Sequence, residues 1–321
     1  MNRNRIVVID GGYDSYEIER KIFERAGFSF EIYSEESDNQ KLKINFARGA
    51  IGMLIRSALV DESFLRELPE LKAIVRYGVG YENVDLAAAT RRGVKVAIVR
   101  GYGRHAVSEH ALALMFACAR ALPMGELSLL THFAKPPRQP LFEFHDKTLG
   151  IIGLGSIGGM LCSKARCLFK RILATDPYIS VRRFEELGAE ECDLSTLLAE
   201  SHVISLHCNL TDETQGLIAG QAFEQMAKRP ILINTARGPV VNDDALLWAL
   251  KNDMIHSAGL DVYAEEPPLR INPELLNHPH VITTGHYAWY SEEGSRELQR
   301  RAAENMLALL RGETIDDCLN P

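Results

Sequence analysis

The sequence predicts an α/β protein made of two doubly wound domains, each with a parallel sheet. The chain has 321 residues, which is the length of two ordinary domains. Short apolar runs alternate with helical patterns in both halves of the chain, as in parallel strands joined by helical crossovers. A long segment rich in alanine and leucine, from Ala106 to about Leu130, separates the two series and predicts a connecting helix.

The first series contains five predicted strands and three predicted helices. The strands are Arg5–Asp10, Phe28–Tyr33, Ile51–Ile55, Ala73–Tyr77 and Val94–Val99, and the helices are Tyr16–Arg25, Glu62–Leu68 and Val84–Arg92. The first strand leads into Asp10-Gly11-Gly12, which lacks the glycine spacing of a nucleotide-binding turn. We therefore expect no cofactor in the first half.

The second series follows a loop, Ala134–Pro140, whose three prolines exclude regular structure. Its six predicted strands are Thr148–Ile152, Ile172–Thr175, Val203–His207, Ile231–Asn234, Ala258–Val262 and Val281–Thr284. Six strands are what a full dinucleotide-binding fold needs.

The C-terminal segment, Ser291–Arg311, is a long amphipathic pattern with no strand after it. Its leucines need an apolar partner, so we expect a helix that crosses back onto the first domain. The alternative is an isolated surface helix. The predicted domains are residues 1–101 with 289–321, a discontinuous substrate domain, and residues 102–288, a cofactor domain.

Composition narrows the classes of function. The chain is 46% hydrophobic and 25% charged with a net charge of −7, which argues against nucleic acid and anionic membranes as partners. No stretch has the pattern of a signal peptide or the length of a membrane span, so we expect a cytoplasmic protein. Six scattered cysteines form no zinc-binding spacing, so we expect reduced thiols and no metal site.

A glycine-rich turn opens the second series. It comprises Gly153, Leu154, Gly155, Ser156, Ile157 and Gly158, between the strand Thr148–Ile152 and a helical pattern. The first glycine permits a tight turn, the second lets the backbone approach a pyrophosphate, and the third lets the helix pack on the sheet. The helix N-terminus favours the phosphates. A glycine turn without a nucleotide is the alternative, but the context predicts a Rossmann fold that binds a dinucleotide.

Asp176 stands at the end of the next predicted strand, eighteen residues beyond Gly158. A carboxylate there can accept hydrogen bonds from the adenosine ribose and would repel a 2′-phosphate, which predicts NAD as the cofactor. Arg182 and Arg183 follow a few residues later and are the one reservation. The alternative for Asp176 is a turn or cap acid before proline.

Three titratable side chains come just after predicted strands of the second series: Arg237, Glu266 and His286. Ligands of open α/β sheets bind at the carboxyl ends of strands. Arginine can bind a carboxylate with two parallel hydrogen bonds, histidine can transfer a proton, and a neighbouring carboxylate stabilises the imidazolium. Taken singly, they could be a turn arginine, a solvated acid and a structural histidine. Together they predict hydride transfer to a 2-oxo acid.

The chain resembles the D-isomer-specific 2-hydroxyacid dehydrogenases over nearly its full length. The matching stretches are Arg76–Asp85, Gly153–Gly158, Asn234–Gly238, Leu260–Val262, Glu266-Pro267 and His286. The resemblance implies a Rossmann cofactor domain inserted into a flavodoxin-like substrate domain, a homodimer, and a cleft that closes on binding.

The resemblance also implies residue roles. His286 would be the acid/base, Glu266 its partner, and Arg237 the residue that binds the substrate's carboxylate and carbonyl. Backbone N–H groups of Val79 and Gly80 would bind the same carboxylate. Cofactor contacts are expected from Gly153, Gly155, Ser156, Ile157, Gly158, Asp176, His207, Thr235, Ala236 and Asp261.

Two departures distinguish this chain from many members. The stretch Tyr287–Glu293 and the sequence Leu206-His207-Cys208 look like the C-terminal-binding proteins, NAD(H)-sensing corepressors. A partner-binding NAD(H) sensor with little turnover is therefore the alternative function. A third reading, oxidation of formate or phosphite, is less favoured because similar formate enzymes have glutamine in place of Glu266.

The second departure concerns substrate choice. Arg100, Arg104 and His105 add positive charge around the start of the connecting helix. Trp289 stands three residues after His286 and is predicted to line the substrate pocket, or else to pack between the domains. The sequence does not name the acid.

Overall fold

The computed structural model describes residues 4–34, 39–124, 140–268 and 270–321. Most of the predicted proline loop and the end of the predicted connecting helix lie outside these residues. The chain divides into two compact units, which we call unit 1 (residues 1–102 and 291–321) and unit 2 (residues 103–290). These boundaries lie within two residues of the predicted ones.

Unit 1 has a five-stranded parallel sheet in the order β2-β1-β3-β4-β5, the strand order of flavodoxin-like folds. The strands are β1 (Arg5–Val8), β2 (Ser29–Ile32), β3 (Gly52–Ile55), β4 (Ala73–Arg76) and β5 (Lys95–Ala97); the helices so far are α1 (Glu17–Arg25), α2 (Gln40–Ala47), α3 (Glu62–Arg66) and α4 (Leu86–Arg91). All five strands were predicted. Helix α2 was not predicted; half of its eight residues are polar, and it buries only Lys43 and Ala47.

Unit 2 has a seven-stranded parallel sheet in the order β12-β11-β10-β9-β6-β7-β8, which contains the Rossmann order. Its strands are β6 (Thr148–Ile152), β7 (Arg171–Thr175), β8 (Glu190–Glu191), β9 (Val203–Leu206), β10 (Ile231–Asn234), β11 (Ser257–Leu260) and β12 (Val281–Thr283). The predicted count of six strands is wrong. The missed strand, β8, consists of two exposed glutamates and has no apolar pattern.

The helices of unit 2 pack on both faces of this sheet. They are α5 (Arg104–Ala119), α6 (Ser156–Ala165), α7 (Val181–Leu187), α8 (Leu194–Glu200), α9 (Gly220–Glu224), α10 (Asp243–Lys251) and α11 (Pro273–Leu276). Ile231 and Ile233 belong to one apolar core and Leu232 to the other, so successive residues of β10 bury against opposite layers. Helix α5 ends at Ala119, well before the predicted Leu130, and Ala121 has a left-handed φ of 49°.

The last helix, α12 (Glu292–Leu310), packs on α1, β3 and β4 of unit 1. A Cβ atom at Gly52 of β3 would lie 2.7 Å from the Met306 sulfur, which shows how closely the helix approaches the sheet. Beyond α12, Cys318 pairs antiparallel with Ala97 at the edge strand β5. The predicted C-terminal helix therefore has an apolar partner. None of the described helices is long and apolar enough to cross a bilayer.

Candidate active site

The glycine turn of unit 2 is shaped by close backbone contacts. Gly153 has a φ of 89°, and a Cβ atom there would lie 2.6 Å from the Cys208 nitrogen. A Cβ atom at Gly158 would overlap the carbonyl oxygen of Gly153, so the helix packs directly on the turn. A Cβ atom at Gly155 would meet no atom within 4 Å. The packing of the chain therefore requires glycine at the first and third positions, and open space remains at the second.

Helix α6 begins at Ser156, directly after Gly155. No side chain caps this helix, so backbone N–H groups of its first turn are available to an anion. The open space beside Gly155 and the uncapped N-terminus together fit a pyrophosphate. Ser156 and Ile157 occupy the first turn, and their contacts with the cofactor stay a prediction.

Asp176 follows β7 and accepts two backbone hydrogen bonds. Its Oδ2 accepts from the Leu154 N–H at 2.8 Å, and its Oδ1 accepts from the Tyr178 N–H at 3.0 Å. The carboxylate of Asp176 thus stabilises its own turn, through Tyr178, and the glycine turn, through Leu154. Each carboxylate oxygen has a second lone pair that can accept from a ribose hydroxyl. Arg182 and Arg183 are exposed and both pair with Glu186 of α7.

Two buried polar atoms beside the turn have no hydrogen-bond partner in the described part of the chain. They are Nδ1 of His207, after β9, and Oγ1 of Thr235, after β10. Burial lowers the pKa of His207 to about 4, so its ring is neutral, and its Nε2 pairs with the Ser205 hydroxyl at 2.8 Å. Buried polar groups normally have partners. These two atoms and the open glycine turn therefore fit a bound dinucleotide.

Arg237 lies in a tight turn after β10. The Asn234 side chain holds this turn, since its Oδ1 accepts from the Ala236 N–H at 3.0 Å and its Nδ2 donates to the Arg237 carbonyl at 2.9 Å. Gly238 then packs on the backbone of Tyr263, which a Cβ atom at Gly238 would overlap. The half-buried Arg237 is thereby held next to the loop after β11.

Glu266 and His286 form the central contact of the site. Glu266 follows β11 and His286 follows β12, the neighbouring strand, and Nδ1 of His286 lies 2.5 Å from Oε2 of Glu266. Tyr263 joins the two loops, because its N–H donates to Glu266 Oε1 at 3.1 Å and its hydroxyl donates to the Thr284 carbonyl at 2.6 Å. Both side chains of the pair are partly exposed, at 42% for His286 and 36% for Glu266.

The charge of Glu266 follows from its surroundings. Burial raises the pKa of its carboxyl, but the hydrogen bond and charge of His286, the Tyr263 N–H and the charge of Arg237 outweigh it. The pKa of Glu266 therefore lies below its usual value, and the carboxylate is ionised at neutral pH. Arg237 follows β10, the strand beside β11, and its charge makes the smallest of these contributions. Arginine, carboxylate and histidine thus share one edge of the sheet, as their positions after strands predicted.

Asp261 has a different environment from the one expected. It is 1% exposed, and its carboxylate accepts from the Thr284 hydroxyl and from the Tyr287 and Ala288 N–H groups. These bonds hold the loop that carries His286. A contact of Asp261 with the cofactor, like one of Ala236, stays a prediction.

In unit 1, the predicted substrate residues Val79 and Gly80 lie in the loop after β4. Arg56, directly after β3, lies on the same edge of the sheet, and its carbonyl accepts from the Arg76 side chain. The Arg56 guanidinium lies 5.6 Å from the centre of the Tyr13 ring, and no described carboxylate forms a salt bridge with it. Arg56 was not among the predicted site residues, although it directly follows a predicted strand.

The residues expected to select the substrate differ in their surroundings. Arg100 is bound to the C-terminal segment of unit 1, through the Asp316 carbonyl and the Asp317 carboxylate, so its inclusion in the specificity cluster is wrong. Arg104 and His105 are exposed at the start of α5. Trp289 is half-buried, with its backbone 3.7 Å from a Cβ position at Gly103. Within the described ranges, no cluster of His, Cys, Asp and Glu could hold a metal ion.

Comparison with known proteins agrees with this geometry. The sequence profile of the D-isomer specific 2-hydroxyacid dehydrogenase NAD-binding domain matches residues 112–288. A D-3-phosphoglycerate dehydrogenase from Archaeoglobus fulgidus is 37% identical over 261 residues, 81% of this chain and 49% of that protein. A glyoxylate reductase from Thermococcus litoralis is 36% identical over 268 residues, 81% of this chain and 80% of that protein.

The structure of a D-lactate dehydrogenase from Escherichia coli superposes with a TM-score of 0.83 at 33% identity, covering 98% of this chain and 99% of that one. The chain spans about half the length of the phosphoglycerate dehydrogenases that it matches. The likeness to this solved structure covers both units, and the NAD-binding-domain profile matches most of unit 2. The chain therefore belongs to the D-isomer-specific 2-hydroxyacid dehydrogenase family, and NAD is the cofactor of its second unit.

Proposed function

We propose that this protein is an NAD-dependent dehydrogenase that interconverts 2-oxo acids and D-2-hydroxy acids. The observation that carries the proposal is the contact of His286 with ionised Glu266, with the Arg237 charge beside them. When bound, the nicotinamide supplies or accepts the hydride. The three side chains supply the other two requirements of the reaction, a proton and a binding site for a carboxylate.

In the reduction, Glu266 accepts a hydrogen bond from Nδ1 of His286, which leaves Nε2 to face the substrate oxygen. Protonated His286 gives the Nε2 proton to that oxygen as it gains negative charge, and Glu266 stabilises the imidazolium before transfer. Arg237 binds the substrate's carboxylate and carbonyl and orients the carbon that reacts. Val79 and Gly80 are proposed to donate backbone N–H groups to the carboxylate.

Arg56 favours 2-oxo acids that carry a second anionic group. It is a half-buried cation without a carboxylate partner in the described chain, on the same edge of unit 1 as Val79 and Gly80. A cation of this kind attracts anions in a protein of net charge −7. We expect substrates with an acidic side chain to be preferred over those with an apolar one.

The test is the rate of NADH oxidation over a panel of 2-oxo acids with acidic, polar and apolar side chains. Activity with the acids that disappears in His286→Ala supports the proposed reaction. Arg56→Gln should remove the preference for acidic side chains, whereas the same preference in Arg104→Gln would show that Arg104 is only surface charge. Equal rates for acidic and apolar substrates in the unmodified protein would contradict the role of Arg56.

A partner-binding NAD(H) sensor is less favoured, because all three side chains proposed for catalysis are present and follow the neighbouring strands β10, β11 and β12. Tight NADH binding with no turnover of any 2-oxo acid would favour the sensor over the dehydrogenase. We also propose a homodimer, which light scattering of the purified protein would test.

A further inference from the structure

The histidine proposed as acid/base lies on a short and weakly supported stretch of backbone. His286 has a left-handed φ of 55°, and it follows Gly285. A Cβ atom at Gly285 would meet only the Tyr287 ring, at 3.9 Å, so no other group packs where a side chain would lie. The position of the imidazole therefore depends on how the chain is held on either side of these two residues.

Asp261 holds both sides. Before Gly285, its Oδ1 accepts from the Thr284 hydroxyl at 2.6 Å; after His286, its carboxylate accepts from the N–H groups of Tyr287 at 3.1 Å and Ala288 at 3.0 Å. The carboxylate is buried at the end of β11. It is thus a fixed point for the loop.

His110 of α5 adds further contacts to the loop that carries His286. Its Nε2 lies 3.0 Å from the Thr284 hydroxyl oxygen. Thr284 has a single hydroxyl proton and gives it to Asp261, so its oxygen must accept from His110, which fixes the tautomer with hydrogen on Nε2. The edge of the His110 ring also meets the Tyr287 ring, with the centres 5.3 Å apart. His110 therefore contacts the residue before Gly285 and the residue after His286.

We infer that His110 is a positioning residue for His286, acting through Thr284 and Asp261. Helix α5 is a rigid element of 16 residues, and through His110 it orients a loop that has no regular structure of its own. Its contacts keep Nδ1 of His286 directed at Glu266. The inference rests on the proposed function only in assigning proton transfer to His286; the positioning itself can be measured without cofactor.

The first experiment measures the ring of His286 directly. Nitrogen-15 chemical shifts of its two ring nitrogens, identified by their absence in His286→Gln, report the tautomer and the hydrogen bond to Glu266. We expect His110→Leu to move the Nδ1 shift towards that of a free imidazole. His110→Gln, whose amide can donate to Thr284, should restore it. An unchanged Nδ1 shift in His110→Leu would overturn the inference, even if the protein proved inactive on every 2-oxo acid.

The matched control is His256→Leu. His256 is also partly buried, with hydrogen bonds to Ser257 and to the Pro140 carbonyl, but it lies at the opposite end of β11 from Asp261. Its loss should lower stability without altering the His286 shifts. If both leucine variants changed those shifts equally, the effect would be general loosening of the fold, and the inference would be wrong.

The second experiment uses kinetics in a double-mutant cycle. His110→Leu should lower kcat about ten- to a hundredfold, as expected for a displaced catalytic group, while KM and the NADH Kd stay within about threefold. Thr284→Val removes the bridging hydroxyl and should have a similar effect. Because both residues act through the same series of contacts, kcat of the double variant should be little lower than kcat of the more impaired single variant. If the fold-decrease in kcat of the double variant equalled the product of the two single decreases, the two residues would act independently.

Discussion

Gly238 packs directly against the backbone of Tyr263, in the space that any larger side chain would occupy. This contact joins two segments of the proposed site, since Arg237 precedes Gly238 and the Tyr263 N–H donates to Glu266. Tyr263 also donates to the carbonyl of Thr284, two residues before His286. The absence of a side chain at Gly238 thus lets the turn that carries Arg237 pack against the loop that carries Glu266.

Replacing Gly238 with alanine should lower kcat/KM at least about tenfold, because the turn carrying Arg237 must move away from Tyr263 and the geometry of reaction is sensitive to such shifts. Steady-state kinetics with NADH and the best 2-oxo acid checks this. Gly220→Ala is the control, since a Cβ atom there meets nothing within 4 Å. Equal kcat/KM values for the two variants would mean that the turn carrying Arg237 can shift without affecting the reaction.

Replacing His286 with alanine should lower kcat by about 10² to 10⁴, the range for a general acid/base. The NADH Kd, measured by fluorescence titration, should barely change, because no cofactor role is assigned to this side chain. An alanine variant with unchanged kcat would remove His286 from proton transfer.

Replacing Arg237 with lysine should not restore the function lost in Arg237→Ala. Lysine offers a point charge in place of two parallel N–H groups. We expect a large rise in KM for 2-oxo acids in both variants. Arg296→Lys, an exposed arginine of α12, provides the matched control. A kcat/KM within about threefold of the unmodified protein, which is under 1 kcal/mol, would place the carboxylate elsewhere.

Cofactor choice can be tested with Asp176→Asn. Asparagine still accepts the hydrogen bond from the Leu154 N–H but has no charge to repel a 2′-phosphate. The preference for NADH over NADPH should fall by about one to two orders of magnitude, where each factor of ten is about 1.4 kcal/mol. Kd values for both cofactors check this. A preference that survives in Asp176→Asn would show that exclusion of NADP does not depend on this carboxylate.

His207 predicts how stability depends on pH. Its folded pKa is about 4, against a usual value of 6.5, because burial disfavours the charged ring. Between these pH values the unfolded chain binds a proton at His207 and the folded chain does not. The contribution of His207 to the free energy of unfolding is therefore fully present above pH 6.5 and is lost as pH drops towards 4. The loss amounts to about 3 kcal/mol, at about 1.36 kcal/mol per pKa unit.

Urea unfolding of the protein without cofactor, between pH 7 and pH 4.5, measures this loss. In His207→Asn the fall in the free energy of unfolding should be clearly smaller than in the unmodified protein. In His145→Asn, which removes an exposed histidine, it should be unchanged. Identical pH dependence in all three proteins would mean that His207 takes up a proton as readily in the folded state.

The sequence predicted most of the fold because buried parallel strands are continuous apolar runs. It failed where an element has no such pattern. Glu190–Glu191 pairs with β7 through backbone hydrogen bonds and the Arg171–Glu190 ion pair, and neither of its residues is apolar or buried. The same reasoning predicts Arg237, Glu266 and His286 as site residues, and the structure places them after the neighbouring strands β10, β11 and β12.

The contacts that give each residue its environment could not be predicted from local pattern. Arg100 looked like a charge near the substrate, but it binds Asp317, more than two hundred residues further along the chain. Asp261 fits a cofactor ligand by motif, yet its hydrogen bonds hold the His286 loop. Both outcomes depend on tertiary contacts between distant segments, which spacing and periodicity do not encode.

Because α12 belongs to unit 1, the order of synthesis differs from the order in which the units can be completed. Strands β1 to β5 leave the ribosome first, but the helix that covers part of their apolar face is made only after residues 103–290. The Leu319 N–H, which donates to the Val96 carbonyl at 2.8 Å, arrives later still to close the edge of β5. Unit 2 can therefore fold while unit 1 still has an apolar face and an open strand edge, the features that chaperones recognise and that lead to mispairing.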